Sequence, residues 1–209
     1  MRKIELVGLD NCNVIVIGAS AGGIEGLMKL VAGLPRRLQA AIFVVVHQPP
    51  WHKSELPQVI ARGSKLPALH PAGGQAIDCG TIYVAPPDYH LLLERDRVDL
   101  WRGPKENRHR PAVNALFRSA AVAFGNRVIG VVLSGLLDDG AAGLWWIKRF
   151  GGIAVVQDPE DAQSPEMPAA ALEHVKVDYV LPASEIGPLL AKLTEQETPQ
   201  IGDAEPEYK

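Results

Sequence analysis

Residues 13 to 46 impose the strongest constraint on the fold. Asn13 to Gly18 (Asn-Val-Ile-Val-Ile-Gly) is a β-branched run, too short for a helix and without the alternation of a half-exposed strand. Such a run is a strand buried on both faces, as in a parallel sheet. A small-residue turn follows, Ala19-Ser20-Ala21-Gly22-Gly23. From about Ile24 to Leu34, apolar Ile24, Leu27, Met28, Val31 and Leu34 recur at helical spacing, and Pro35 closes the segment. Ala41 to Val46 repeats the buried-strand pattern and ends at His47, before Pro49-Pro50. Strand, helix and strand in that order form a βαβ unit, whose strands are parallel and whose helix covers a face of the sheet.

The rest of the chain extends this unit. Glu55 to Arg62 reads as a short helix and Ala68-Leu69 as a weak strand. Thr81–Ala85, Leu91–Leu93 and Val98–Trp101 read as antiparallel strands joined by turns. The parallel pattern resumes with a helix over Val113–Phe124, a strand over Val128–Leu133, a helix over Ala141–Phe150 and a strand over Ile153–Val156. A helix over Pro168–His174, a strand at Tyr179-Val180 and a helix over Ser184–Leu193 complete it. The expected fold is a doubly wound, mostly parallel α/β sheet with helices on both faces and an antiparallel hairpin insertion. Residues 1–194 are expected to form one domain, and residues 195–209 an acidic, disordered tail. Prolines cluster after strand ends (Pro49-Pro50, Pro86-Pro87, Pro159), where open α/β sheets build their sites.

Charge narrows the choice of partner. The chain carries −3, but Thr194–Lys209 alone holds five acids and one lysine, so the remaining body sums to +1. A near-neutral body argues against a general nucleic-acid binder. One stretch is basic: Arg95, Arg97, Arg102, Lys105, Arg108, Arg110 and Arg118 lie among three acids, a patch suited to an anionic partner or simply a solvated face. No apolar run reaches the roughly 18 residues of a membrane-spanning helix, and Met1–Glu5 precede no signal-peptide core. Membrane insertion is therefore not expected, and a cytoplasmic location is. Cys12 and Cys79, with no paired-cysteine motif, read as two small buried thiols in a reducing compartment, and a disulfide is the less favoured reading.

Gly18-Ala19-Ser20-Ala21-Gly22 fits G-x-S-x-G between a strand and a helix, the setting of a nucleophile elbow. The turn would push the Ser20 hydroxyl out at the sheet edge, with the Ala21 N–H placed to hold an oxyanion. The competing reading is a phosphate-binding turn. Against it, Ser20 stands where a dinucleotide motif needs glycine, and no Walker lysine follows. A nucleophilic serine needs a base and an orienting acid. His47 ends the neighbouring strand, although a strand-end histidine more often caps a loop carbonyl. His90 and His109 lie beside turns and could line the cleft. Asp138 and Asp139 both follow the third buried strand, where N-capping is the alternative role. The order Ser, His, Asp differs from that of ordinary α/β hydrolases.

Several motifs in order carry a more specific signal: Ile17-Gly-Ala-Ser20-Ala-Gly-Gly23, His47-Gln-Pro49, Ile82-Tyr-Val-Ala-Pro86 with His90, Asn107-Arg-His-Arg-Pro111, Leu133-Ser-Gly135 with Asp139-Gly-Ala-Ala-Gly143, and Met167-Pro168. Over roughly Val14 to Leu190 the chain resembles the catalytic domain of the chemotaxis protein-glutamate methylesterase (CheB-type) family. The resemblance implies Ser20 as nucleophile, His47 as general base and acid, and Asp139 rather than Asp138 as its orienter. It implies hydrolysis of glutamyl methyl esters on the cytoplasmic helices of chemoreceptors, with glutamine deamidation alongside, and neither cofactor nor metal. Ala21 and Leu136 would bind the oxyanion. Asn107, Arg108, His109 and Arg110 would line the cleft, with Arg108 and Arg110 meeting the receptor's acidic methylation region.

Two sequence departures bear on this reading. Leu137 stands where the family usually has glycine, so the turn there is expected to rearrange if that glycine has a positive φ, and Gln48 replaces an apolar residue. The family's usual N-terminal receiver domain is not expected here either, which leaves constitutive activity or gating by a separate regulatory protein. Two rival functions are a hydrolase of a different protein substrate and a non-catalytic adaptor or anion-binding module on the same fold.

Overall fold

A computed structural model describes residues 12–51 and 53–195. The short buried runs form a seven-stranded parallel sheet in the order β10-β9-β8-β1-β2-β5-β3. Its strands are β1 (Asn13–Ala19), β2 (Ala40–Val46), β3 (Ala68–Leu69), β5 (Ile82–Val84), β8 (Val128–Val132), β9 (Ile153–Gln157) and β10 (Tyr179–Leu181). The central strands β1, β2 and β8 are buried along their whole length, so their side chains feed two cores. On one face Ile15, Ile17, Ile42 and Val44 pack beneath α1 (Gly23–Ala32), α2 (Leu56–Gly63) and α6 (Ala183–Glu195). On the other, Val14, Val16, Phe43 and Val45 pack beneath α3 (Val113–Phe124), α4 (Ala141–Arg149) and α5 (Glu166–His174). The doubly wound arrangement expected from the βαβ start is thus present, with helices on both faces.

The antiparallel part differs from expectation. Thr81–Ala85 does not belong to it: β5 lies parallel between β2 and β3, with Ile42 opposite Ile82 and Ala68 opposite Ile82 on its other side. Ile82, Tyr83 and Val84 are all buried, the signature of an inner parallel strand rather than of a half-exposed hairpin. The antiparallel unit is instead a separate three-stranded sheet, β4-β7-β6 (Gln75–Ala76, Arg97–Trp101, His90–Leu93). Leu91, Leu93 and Val98 join it to the core beneath α3. The helix ends lie within two residues of the sequence reading. Of the expected tail, 195–209, Glu195 is the last residue of α6, and residues 196–209 lie outside the described residues, as do residues 1–11 and His52.

The cysteines also differ from expectation. Cys12 and Cys79 form a disulfide, with Cα atoms 6.1 Å apart, so they are not two thiols. Cys12 is buried and Cys79 exposed. Their 67-residue separation hides a topological adjacency. Asn13 sits opposite Ala40 in the β1–β2 pair, and the Gly80 N–H donates to the Ala40 carbonyl at 2.8 Å. The loop before β5 therefore turns beneath the start of β1. Among the described residues no helix is long and apolar enough to cross a membrane. Closing so long a loop constrains the unfolded chain. Reduction, or Cys79→Ser, should lower stability by about 2–4 kcal/mol. Thermal melting should show the reduced protein at the variant's Tm, and the variant should not respond to reductant.

Candidate active site

Ser20 sits between β1 and α1, on the strand–turn–helix junction read from its flanking small residues. Gly22 caps α1 with φ 71°, a left-handed conformation that glycine adopts without steric cost. The Ser20 N–H donates to the Ser134 carbonyl at 3.0 Å and its carbonyl accepts from Gly23 N–H at 3.0 Å, so the turn is pinned on both sides. Gly135 must be small, because a Cβ there would lie 2.9 Å from Ser20 Cβ and 2.1 Å from Met167 Sδ.

His47 follows β2, and its N–H donates to the Ala19 carbonyl, which sets it beside Ser20. Its Nδ1 lies 3.1 Å from Ser20 Oγ and its Nε2 lies 2.8 Å from Asp139 Oδ2. Nε2–H donates to the carboxylate, which leaves Nδ1 as acceptor for the serine hydroxyl. Both side chains behind the serine are shielded: His47 is 5% and Asp139 2% exposed. Asp138, the alternative acid, is exposed, and its carbonyl accepts from Ala141 N–H.

Asp139 is held by more than His47. Its Oδ2 also accepts from Val113 N–H at 2.7 Å, and its Oδ1 accepts from Asn114 N–H at 3.1 Å and Asn107 Nδ2 at 3.3 Å. Val113 and Asn114 open α3, so the carboxylate faces the positive end of that helix. The arrangement is reciprocal: buried Asn114, on α3, accepts the Gly140 and Gly143 N–H groups at the start of α4 with its Oδ1. The start of α3 is capped by a side chain from the segment leading into α4, and the start of α4 by a side chain of α3. Asn114 was not singled out from sequence, although an asparagine inside a helical run is a signal, being a weak helix former and a good cap.

Asn107–Arg110 divides. Asn107 and Arg108 carry φ 48° and 68°, two successive left-handed residues without glycine. The Asn107–Asp139 bond and paired Glu106–His109 backbone bonds hold them. His109 lies flat on His47, ring centroids 3.6 Å apart and planes within 6°. Arg110 turns inward: its guanidinium bonds Asp88 and the Gly103 carbonyl. Arg97, Arg102 and Arg118 are likewise paired, with Glu94, Asp88 and Glu106. Among the described residues of the basic stretch, Arg95, Lys105 and Arg108 have no such partner. Lys105 and Arg108 share a groove of about 350 Å³ with His47, His109 and exposed Trp51. His90 does not line the cleft. It is 1% exposed, with its ring bonded to Pro104 O and Ala112 N–H.

The turn after β8 carries Leu137. It does not rearrange to avoid a positive φ: Leu137 itself adopts φ 64°, which costs a leucine about 1–2 kcal/mol. Its N–H donates to Glu166 Oε2 at 2.7 Å. No sequence signal pointed to Glu166. The Ala21 and Leu136 N–H groups, the expected oxyanion donors, donate to nothing among the described residues. The arrangement can therefore do three things chemically. It can take a proton from Ser20, shield the histidine behind it, and present backbone N–H groups next to the serine.

His109 gives a test of the stacked pair. Burial first, and then the neighbouring His47, hold its pKa below the usual histidine value. As pH falls through about 6.5, the unfolded chain takes up this proton before the folded one. The stability tied to a neutral His109 is therefore intact above that pH and is lost progressively below it. His109→Phe keeps the ring contact and removes the titration. Denaturant unfolding between pH 7.5 and 5 should show a shallower loss of stability in the variant than in the wild type.

Known proteins share this sequence pattern and this fold. The CheB methylesterase family model matches residues 15–190. A relative from Leptospira interrogans serovar copenhageni is 37% identical over 191 residues, 91% of this chain and 99% of its own. The protein-glutamate methylesterase/protein-glutamine glutaminase 2 of Methanosarcina mazei is 36% identical over 189 residues, covering 87% of this chain and 52% of the relative. The chain thus spans nearly all of one relative and about half of the other. The crystal structure of the Thermotoga maritima CheB methylesterase catalytic domain superposes with a TM-score of 0.84 at 33% identity, over 87% of this chain and 98% of that one. The chain belongs to the CheB methylesterase family.

Proposed function

We propose that this protein is a protein-glutamate methylesterase (a carboxylic ester hydrolase) acting on methylated chemoreceptor helices through Ser20, His47 and Asp139. The observation that carries the reading is the His47 ring, bonded at once to Ser20 Oγ and to buried Asp139. His47 Nδ1 takes the Ser20 proton as Oγ attacks the glutamyl ester carbonyl. Asp139 fixes the ring and balances the imidazolium that forms. The oxyanion is held by the Ala21 and Leu136 N–H groups, each worth roughly 10²–10³ in rate. His47 returns the proton to the leaving methanol. It then activates water against the glutamyl-enzyme, which releases a free glutamate side chain. The same route deamidates glutamine, with ammonia as leaving group.

The groove beside His47 supports an acidic partner. Lys105 and Arg108 are the cations of its wall not already paired within the protein, whereas Arg110 serves to hold Asp88. Chemoreceptor methylation segments lie in the cytoplasm, so the reading places the protein there. It leaves room for a separate regulatory protein that gates the cleft.

The test is methanol release from methylated receptor. Ser20→Ala should reduce it by at least about 10⁴-fold with an unchanged melting temperature. Asp139→Asn should fall by a comparable factor, because the wrong tautomer is then favoured. Wild-type release from unrelated esters but not from receptor would move the protein to another substrate. Undiminished release by Ser20→Ala would refute the mechanism.

A further inference from the structure

The turn from Ser134 to Asp138 runs directly past the proposed nucleophile. Ser134 O accepts the Ser20 N–H, and Gly135 Cα is close enough that an added Cβ would touch Ser20. Besides two bonds between Ser134 Oγ and the Ser164 backbone, three hydrogen bonds through the turn's own peptide groups tie it to the start of α5. Gly135 N–H donates to Ser164 O at 2.9 Å, Met167 N–H donates to Gly135 O at 2.9 Å, and Leu137 N–H donates to Glu166 Oε2 at 2.7 Å.

The second of these bonds matters because Gly135 C=O and Leu136 N–H belong to one peptide plane. With the carbonyl turned toward α5, the Leu136 N–H points the opposite way and stays undonated. The next peptide plane, between Leu136 and Leu137, has one hold among the described residues, the Glu166 carboxylate. That plane is also where the strain lies, since Leu137 is a non-glycine residue at φ 64°. A relaxation of Leu137 toward an ordinary conformation rotates this plane and, through Leu136, disturbs the aim of the Leu136 N–H.

We propose that Glu166 is a positioning residue: by accepting the Leu137 N–H it holds the strained turn so that the Leu136 N–H stays aimed at the oxyanion formed on the Ser20 ester adduct. The inference rests on the serine-hydrolase reading. A plainer role exists for Glu166, since an acid in the first turn of α5 favours that helix electrostatically. Glu166 has no other hydrogen bond or ion pair among the described residues. The two roles differ in what they require. Helix stabilisation needs a negative charge in the first turn. The latch needs an acceptor oxygen at the reach of a glutamate side chain.

The substitutions separate them. Glu166→Asp keeps the charge and loses the reach. Glu166→Gln loses the charge and keeps the reach and an acceptor oxygen. The latch predicts that Glu166→Asp and Glu166→Ala lower kcat for methanol release about 10- to 100-fold at unchanged KM, below the full loss of one oxyanion donor. It predicts Glu166→Gln within about threefold of wild type. It predicts also that Leu137→Gly, placed in the Glu166→Ala background, restores most of the lost kcat, because glycine holds a positive φ without strain. The rate of Ser20 labelling by a fluorophosphonate should follow the same order, with wild-type melting temperatures for the active variants. A full-rate Glu166→Asp, or a Glu166→Ala that Leu137→Gly leaves unrescued, overturns the latch while wild-type labelling at Ser20 stands. Absence of wild-type labelling overturns the underlying hydrolase reading instead.

Discussion

Everything at this site depends on the register of three parallel strands. Ala19 lies opposite Val46 and Gly18 opposite Val132, so β1, β2 and β8 end at one level of the sheet. Backbone bonds continue the pairing one step beyond the strands: His47 N–H to Ala19 O, Leu133 N–H to Gly18 O and Ser20 N–H to Ser134 O. Ser20, His47 and the Ser134–Asp139 turn are consequently neighbours by construction, before any side chain interacts. A one-residue slip of β2 would carry His47 away from Ser20 and reverse which core each strand residue enters.

The second determinant is the mutual capping of α3 and α4. Asp139, just before α4, takes the first N–H groups of α3, while Asn114, in α3, takes those of α4. The acid that bonds His47 is therefore also a structural cap, and each of its two oxygens accepts a backbone N–H as well as a side-chain bond. Loss of Asp139 would leave buried N–H groups without a partner as well as an unoriented histidine. Preorganisation of this kind suits the proposed acyl transfer, in which the charge developing on His47 would meet a carboxylate already in place.

Much of this was legible in the sequence. The βαβ start was readable because fully buried strands lack alternation. The elbow was readable because small residues must flank Ser20. The motifs from Asn107 to Pro111 and Asp139 to Gly143 pointed to the family that the comparisons establish. What was not legible depended on contacts between distant segments. The parallel placement of β5 was hidden by its nearness in sequence to a true hairpin. The Cys12–Cys79 bond was hidden by a separation that the β1–β2–β5 pairing collapses. The basic stretch looked uniform until Asp88, Glu94 and Glu106 were seen to occupy most of its arginines. Glycine preference predicted a rearranged turn at Leu137, whereas the leucine itself adopts a positive φ, its N–H bonded to Glu166 from 29 residues away.

The most direct test of the central claim is active-site titration with a fluorophosphonate, the adduct being mapped by mass spectrometry while methanol release from methylated receptor is followed. The account predicts one adduct per chain, on Ser20, with activity lost in proportion to its occupancy. Full activity with Ser20 completely modified, or inactivation by an adduct elsewhere, would contradict it.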